Sequence, residues 1–243
     1  MASLSYLGNA LLHAVQLLVM GLLPCVVYAF LMQKCSNAIR IRLASLLGVK
    51  GYIYLTFPGV MIHELSHALF CLLFFHRITE MKLFSPEADG TLGYVNHAYN
   101  PKNPYHRIGN FYIGTGPVWG GLLVILLISR WLLPSGNWGE LLSLQAWSRW
   151  QTWLWLYLFL TVSSHITLSA PDLQGALDGG VFIILLVFAL TILLDGYCRF
   201  TDRAFEQLTA LWSTCAPPLV AGLLLSAGTA ILLALLIRKR VFS

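Results

Sequence analysis

Residues 60–70 of the chain read VMIHELSHALF, an H-E-x-x-H pattern in which His63 and His67 are four residues apart. On a helix such residues share one face, so both imidazoles can point a ring nitrogen at one metal ion. Glu64 lies about 100° further around the helix, close enough to reach a water molecule on that metal without being a ligand. The spacing predicts a zinc site with His63 and His67 as ligands, in which zinc activates a water molecule and Glu64 is the general base.

These polar groups lie in a strongly apolar chain of 243 residues, of which 58% are hydrophobic and only 10% are charged. A soluble domain of this length carries a far more charged surface, so the composition predicts an all-α polytopic membrane protein. The net charge of +5 forms no basic stripe that would indicate a nucleic-acid partner. Ionisable groups inside a membrane span are costly and usually functional, which favours a metal site over a packing role for the motif.

Apolar runs of roughly 20 residues predict about six transmembrane helices. We place them at about 7–32, 52–76, 108–133, 151–169, 179–197 and 214–237, with a basic loop after the first span. The polar segment at about 77–106 alternates apolar and polar residues around ADG, which predicts a β-hairpin. We expect a single domain over residues 1–243, with the metal-site core at about 52–185. Basic residues divide almost evenly between the two sides, so they do not orient the chain.

A catalytic zinc site needs a third protein ligand and one open position for water. The segment SAPDLQGALDGG at 169–180 offers Asp172 and Asp178 after the fourth span. Its proline and glycines predict an interrupted backbone rather than a plain helix, and such backbone is tolerated at membrane depth where it lines a cavity. Asp172 is favoured because it lies nearer the end of the fourth span, and Asp178 is the alternative.

HELSH in one span and an aspartate–glycine segment about 105–115 residues later resemble the site-2 protease family of intramembrane zinc metalloproteases. The resemblance covers about residues 52–185. LDGG at 177–180 matches the family, the usual N-x-x-P is absent, and LSAPDLQGA is similar to the S-x-x-D-x-x-G variant of small bacterial relatives. The resemblance implies one Zn²⁺ per chain on His63, His67 and Asp172, with Glu64 as the base that helps to hydrolyse peptide bonds. It also implies that the hairpin is membrane-associated and presents the substrate as an extended strand.

The expected partners are therefore membrane lipid and a membrane-embedded or membrane-proximal protein or peptide substrate. A compact chain without glycosylation sequons suits the bacterial inner membrane. The sequence does not determine the oligomeric state. The alternative is a non-catalytic membrane protein, either a degenerate protease that binds clients or a metal-handling transporter, which would keep the histidines without needing Glu64. A purely structural subunit would leave the buried Glu64 unexplained.

Two further polar residues near the predicted site have alternative roles. His165, in SSHITLS, either hydrogen-bonds an oxyanion or a ligand carboxylate, or is satisfied by Ser163 or Ser164. Asn110 is expected to cap a helix rather than to bind the substrate backbone.

The other histidines are assigned to the surface. His97 and His106 are expected to be solvated in the polar segment, because they fall outside the apolar runs. His13 and His76 fall near the ends of predicted spans and are expected to be interfacial.

Overall fold

The protein is described by a computed structural model over residues 2–88, 90–133, 138–198 and 200–241. In chain order its elements are α1 (Ala2–Leu73), β1 (Arg77–Lys82), β2 (Tyr94–Ala98), α2 (Pro104–Gly114), α3 (Gly116–Leu132), α4 (Trp150–His165), α5 (Ala170–Cys198) and α6 (Phe200–Val241). Two short 3₁₀ helices, Trp138–Leu142 and Ala146–Ser148, precede α4. The described chain is thus mostly helical with one small sheet, as the sequence predicted.

Three of the described helices contain segments long and apolar enough to cross a membrane: Ser5–Leu73, Ala170–Leu194 and Phe200–Arg238. The pair α2 and α3 passes the same test as one span bent by 58°. Many large apolar side chains on these helices face outward, for example Leu72 and Val26, which are 65% and 63% exposed. Exposure of such an apolar surface to water is unfavourable, whereas contact with lipid is not, which supports the prediction of a membrane protein.

Helix α1 runs through the region predicted to be a basic loop. Its backbone leaves helical geometry at Gly48, where φ is 73° and ψ is 162°. Glycine adopts this left-handed φ at little steric cost, so a single residue interrupts the helix where a loop was expected. The prediction was wrong because lysine and arginine lower hydropathy but are good helix formers, and they therefore continue the helix between two apolar runs.

The third predicted span is divided into α2 and α3 at Thr115. Asn103 caps α2, since its side-chain oxygen accepts a hydrogen bond of 3.0 Å from the Tyr105 amide. Near the start of α3, Pro117 has no N–H to donate to the carbonyl of Ile113, four residues earlier. The ladder of helical hydrogen bonds stops there, which accounts for the bend between the two helices.

Residues 170–180 are helical, contrary to the prediction of an interrupted backbone. Helix α5 begins at Ala170, so Pro171 lies in the first turn, where a missing N–H removes no helical hydrogen bond. The Ser169 amide donates to Asp172 Oδ2 (2.8 Å), and the Asp172 amide donates to Ser169 Oγ (3.3 Å). These reciprocal bonds form a capping box, with aspartate in place of the more usual glutamate, and they start the helix.

The main core is built from α1, α3, α4 and α6. Its largest fully buried side chains include Trp155 and Phe159 of α4, Ile125 of α3 and Met32 of α1. The buried Trp155 indole donates a hydrogen bond of 3.0 Å to Ser129 Oγ, as a buried tryptophan N–H requires. This packing fixes α4, and with it the carbonyl groups at its C-terminal end, against α1.

The predicted hairpin is confirmed. Strands β1 and β2 pair antiparallel from Arg77 opposite Ala98 to Lys82 opposite Tyr94, with a bulge between Ile78 and Glu80. The ADG turn contains Gly90 with φ 93°, a conformation that favours glycine, whereas residue 89 lies outside the described residues. The hairpin follows the end of α1 directly and lies against it.

Candidate metal centre

Three of the predicted ligands meet in the structure. His63 and His67 of α1 have their Nε2 atoms 3.2 Å apart. Asp172, at the start of α5, places Oδ1 3.2 Å from His67 Nε2 and Oδ2 3.6 Å from His63 Nε2. Within the described chain this trio is the group of histidine, cysteine or acidic residues whose ligand atoms converge closely enough to hold a metal ion.

Hydrogen bonds fix where the two imidazole lone pairs point. His63 Nδ1 is 2.9 Å from the His165 carbonyl oxygen, and His67 Nδ1 is 2.8 Å from the Ile113 carbonyl oxygen. A carbonyl oxygen only accepts, so each Nδ1 carries a proton and each neutral ring has its lone pair on Nε2. Two lone pairs and a carboxylate therefore face one another over 3.2–3.6 Å. Such a set is mutually repulsive unless a proton or a cation lies among its members.

Neither carbonyl oxygen receives the usual helical hydrogen bond from the amide four residues later, although the Ile113 oxygen also accepts from the Thr115 amide. The donor to Ile113 would be residue 117, which is Pro117 and has no N–H. The donor to His165, at the end of α4, would be the Ser169 amide, which is bonded to Asp172 instead. A hydrogen bond from Nδ1 to a carbonyl fixes the histidine tautomer and makes Nε2 a better ligand. Two helix ends thus orient the two rings.

Glycines allow α5 to pack closely against α2 next to the site. A Cβ on Gly179 would lie 2.7 Å from the Arg107 carbonyl oxygen and would also meet the Phe111 amide nitrogen. A Cβ on Gly114 would lie 2.6 Å from the Ala176 amide nitrogen. Without these side chains the two backbones touch, and the first turn of α5 reaches the histidines. Gly179 belongs to the LDGG sequence, so this part of the motif acts through packing.

Glu64 lies beside the trio in a cavity of about 730 Å³, which β2, α2 and the first turns of α5 also line. Its side chain is 7% exposed and makes no hydrogen bond or ion pair with the described residues. The hairpin closes over it at Gly93, where a Cβ would lie 2.8 Å from Glu64 Cγ. A buried carboxylate without a partner is costly, and this one lies beside three converging ligands.

The two candidate third ligands occupy different positions. Asp172 joins the histidines, whereas Asp178 lines the same cavity but is not among the converging ligands of the described chain. Asn110 lies inside α2, which is capped by Asn103, so the prediction of a capping role was wrong. It is 6% exposed, lines the cavity and forms no side-chain hydrogen bond with described residues.

His165 contacts the site through its backbone. Its ring donates from Nδ1 to the Thr161 carbonyl (2.9 Å) and lies 3.2 Å from Ser164 Oγ, so neighbouring residues satisfy it. Sequence reasoning missed the carbonyls of Ile113 and His165, because a backbone acceptor has no residue signature. It also missed the capping role of Ser169, although the spacing S-x-x-D is itself a helix-start signal.

A second histidine group clamps the hairpin to the end of α1. His76 follows the apolar segment of α1, and its side chain is buried within the protein at 3% exposure. Its Nε2 donates to the His106 carbonyl (2.9 Å), which leaves Nδ1 to accept from His97 Nδ1 at 3.0 Å. Burial lowers the pKa of His76 to about 4 and also lowers the pKa of His97. His97 and His106 are partly buried rather than fully solvated, because they pack on His76.

The site as a whole offers two imidazole nitrogens and one carboxylate as converging ligands, with Glu64 and Asp178 in the same cavity. This donor set suits a divalent cation that accepts both nitrogen and oxygen ligands.

Comparison of the chain with protein-family models, with curated proteins and with solved structures gives no match.

Proposed function

We propose that the protein is an intramembrane zinc metalloprotease of the kind represented by the site-2 protease family, with one zinc ion on His63, His67 and Asp172. The ligand spacing supports this proposal. Zinc with tetrahedral ligands at 2.0–2.1 Å separates neighbouring ligand atoms by about 3.3 Å. The separations in the site are 3.2, 3.2 and 3.6 Å. The convergence of these three lone-pair donors beside an unpartnered Glu64 is the observation that carries the proposal.

The chain's own residues supply the acid–base chemistry. Zinc, when bound, contributes Lewis-acid polarisation of water and of a carbonyl oxygen. Glu64 accepts the proton of the attacking water and delivers it to the amine nitrogen that leaves. The Asn110 carboxamide, which has no described partner, is available to donate a hydrogen bond to the substrate carbonyl.

The hairpin is proposed to hold the substrate in extended form. Strand β2 pairs with β1 along one edge, and four consecutive residues of β2, Tyr94 to His97, line the cavity. A peptide that adds to a strand edge exposes its peptide bonds, which are otherwise enclosed in helical hydrogen bonds. The proposed substrates are therefore membrane-embedded or membrane-proximal segments that unwind at the cavity.

We further propose that the chain crosses a bacterial inner membrane six times. In this topology α1 crosses twice, with Gly48 between the crossings, the bent pair α2 and α3 crosses once, and α4, α5 and α6 cross once each. Helix α4 has 16 residues, which is about 24 Å of helix. That length is short of the ~30 Å hydrocarbon core, so the tryptophans before α4 would extend the crossing into the interface.

The test compares wild type with Glu64→Gln, purified in detergent and supplied with zinc. The probes are β-casein and a synthetic transmembrane peptide, with cleavage read by mass spectrometry and zinc by elemental analysis. We expect Glu64→Gln to lose cleavage by about 10²–10⁴-fold while it keeps one zinc per chain. The matched control is Glu206→Gln, which makes the same substitution at an exposed position of α6. Full activity in Glu64→Gln would refute the mechanism, and zinc binding without cleavage by wild type would favour the non-catalytic alternative.

A further inference from the structure

Asp178 is a carboxylate that the proposed chemistry does not use. It is exposed, lies within the apolar segment Ala170–Leu194 of α5 and lines the cavity that contains the trio and Glu64. It makes no hydrogen bond or ion pair with any residue that the structure describes. An unpaired carboxylate within a membrane span is costly and in general marks a function, and the residues that the structure describes supply no partner for Asp178.

The charges around the cavity indicate what that partner is. Three carboxylates line it, Glu64, Asp172 and Asp178, whereas no lysine or arginine side chain of the described residues does. Arg107, whose backbone touches Gly179, places its guanidinium 4.3 Å over the Phe182 ring and does not pair with Asp178. With Asp172 facing the histidines, Asp178 is left on the cavity wall without a cationic partner among the described residues.

The position of Asp178 along α5 sets its distance from the reacting bond. It lies six positions after Asp172, which corresponds to about 9 Å along a helix axis. An extended peptide advances about 3.3 Å per residue. A substrate strand in the cavity therefore brings a residue two or three positions from the cleaved bond to Asp178.

We propose that Asp178 is a specificity-determining residue that binds a cationic group of the peptide, a lysine or arginine side chain two or three residues from the scissile bond. The inference rests on the proposed peptidase function, because the position of the lysine or arginine is defined relative to the bond that is cleaved. The recognition itself is a binding step, and it is measurable without cleavage.

The experiment measures binding to zinc-loaded Glu64→Gln protein in detergent by fluorescence anisotropy. The probes are labelled ten-residue apolar peptides that carry one lysine, glutamine or glutamate at each position in turn. N-acetylated and free forms distinguish a side chain from a terminal ammonium group. We expect lysine peptides at one or two adjacent positions to bind about tenfold more tightly than their glutamine counterparts. Equal affinity for all peptides of the panel would overturn the proposal, and this result needs no substitution of Asp178.

Three double variants test the residue itself. Glu64→Gln with Asp178→Asn should bind lysine and glutamine peptides equally, and Glu64→Gln with Asp178→Lys should prefer glutamate peptides. Glu64→Gln with Glu206→Gln is the charge-matched control and should keep the lysine preference. A lysine preference that survives Asp178→Asn in zinc-loaded protein would overturn the proposal. Because cleavage by wild type is measured separately, lysine-selective binding without cleavage would support Asp178 and count against the protease.

Discussion

The Ser169 amide and the Asp172 carboxylate are joined by a hydrogen bond of 2.8 Å at the first turn of α5, and the same carboxylate faces both histidines. One side chain thus starts a helix and completes the cluster of ligands. The capping box aims Asp172 back towards the helix N-terminus, where His63 and His67 of α1 converge. It also occupies the amide that would otherwise bond to the His165 carbonyl, which is left for His63.

Ser169→Ala should weaken zinc binding while leaving all three ligands in place. The variant loses the hydroxyl that accepts from the Asp172 amide and keeps only the bond from the residue 169 amide to the carboxylate, so the first turn of α5 holds Asp172 less firmly towards the histidines. Loss of such an outer-sphere contact typically weakens metal affinity by about 10–100-fold. Competition with a chelator of known affinity measures the change. Ser169→Thr keeps the cap and is the control, and equal zinc affinity in Ser169→Ala and wild type would show that the cap does not position Asp172.

Gly179→Ala and Gly180→Ala form a matched pair within LDGG. A Cβ at Gly179 meets the Phe111 amide and lies 2.7 Å from the Arg107 carbonyl, so α5 must move away from α2. A Cβ at Gly180 has its nearest neighbour, Phe111 Cδ2, at an ordinary 3.7 Å. We expect Gly179→Ala to lower both the thermal midpoint and the zinc affinity. Gly180→Ala should be neutral or stabilise the helix by up to about 1 kcal/mol. The same response in both variants would contradict the close packing of α2 and α5.

Acidification should loosen the hairpin before it affects the helices. The unfolded chain takes up a proton at His76 near pH 6.5, whereas burial lowers the folded pKa to about 4. The folded state binds fewer protons between these values, so its stability is full above about pH 6.5 and falls as the pH drops towards 4. Hydrogen exchange of the β1 and β2 amides at pH 7.5 and 5 measures this loss. His76→Gln can keep both hydrogen bonds without titrating, and an undiminished pH dependence in that variant would exclude His76 as the cause.

The histidine spacing and the hairpin were predictable because both depend on local geometry. A helix places residues 63 and 67 on one face whatever surrounds it, and alternation around ADG specifies paired strands. The helical course of residues 170–180 was also predictable, because S-x-x-D as a capping box predicts a helix that Ser169 caps and that starts at Ala170. Proline and glycine do not interrupt the helix there, because the first turn tolerates proline and the close packing of α5 on α2 requires Gly179.

Contacts between residues distant in the chain could not be predicted from a single sequence. The hydrogen bonds from His63 to the His165 carbonyl and from His67 to the Ile113 carbonyl connect residues 102 and 46 positions apart. They depend on which backbone groups lack a helical donor after the helices have packed. The choice between Asp172 and Asp178 likewise depends on the rotation of α5 against α2, which Gly114 and Gly179 set in three dimensions.

The central claim is tested most directly by the zinc content of the purified protein, measured by elemental analysis on wild type, Asp172→Ala and Asp178→Ala in parallel. The account predicts one zinc per chain in wild type and in Asp178→Ala, and a large loss of zinc in Asp172→Ala. His67→Ala should lose zinc in the same way. Folded wild-type protein that binds no zinc when zinc is supplied, or Asp172→Ala that keeps a full equivalent of it, would contradict the claim that these three residues hold the metal.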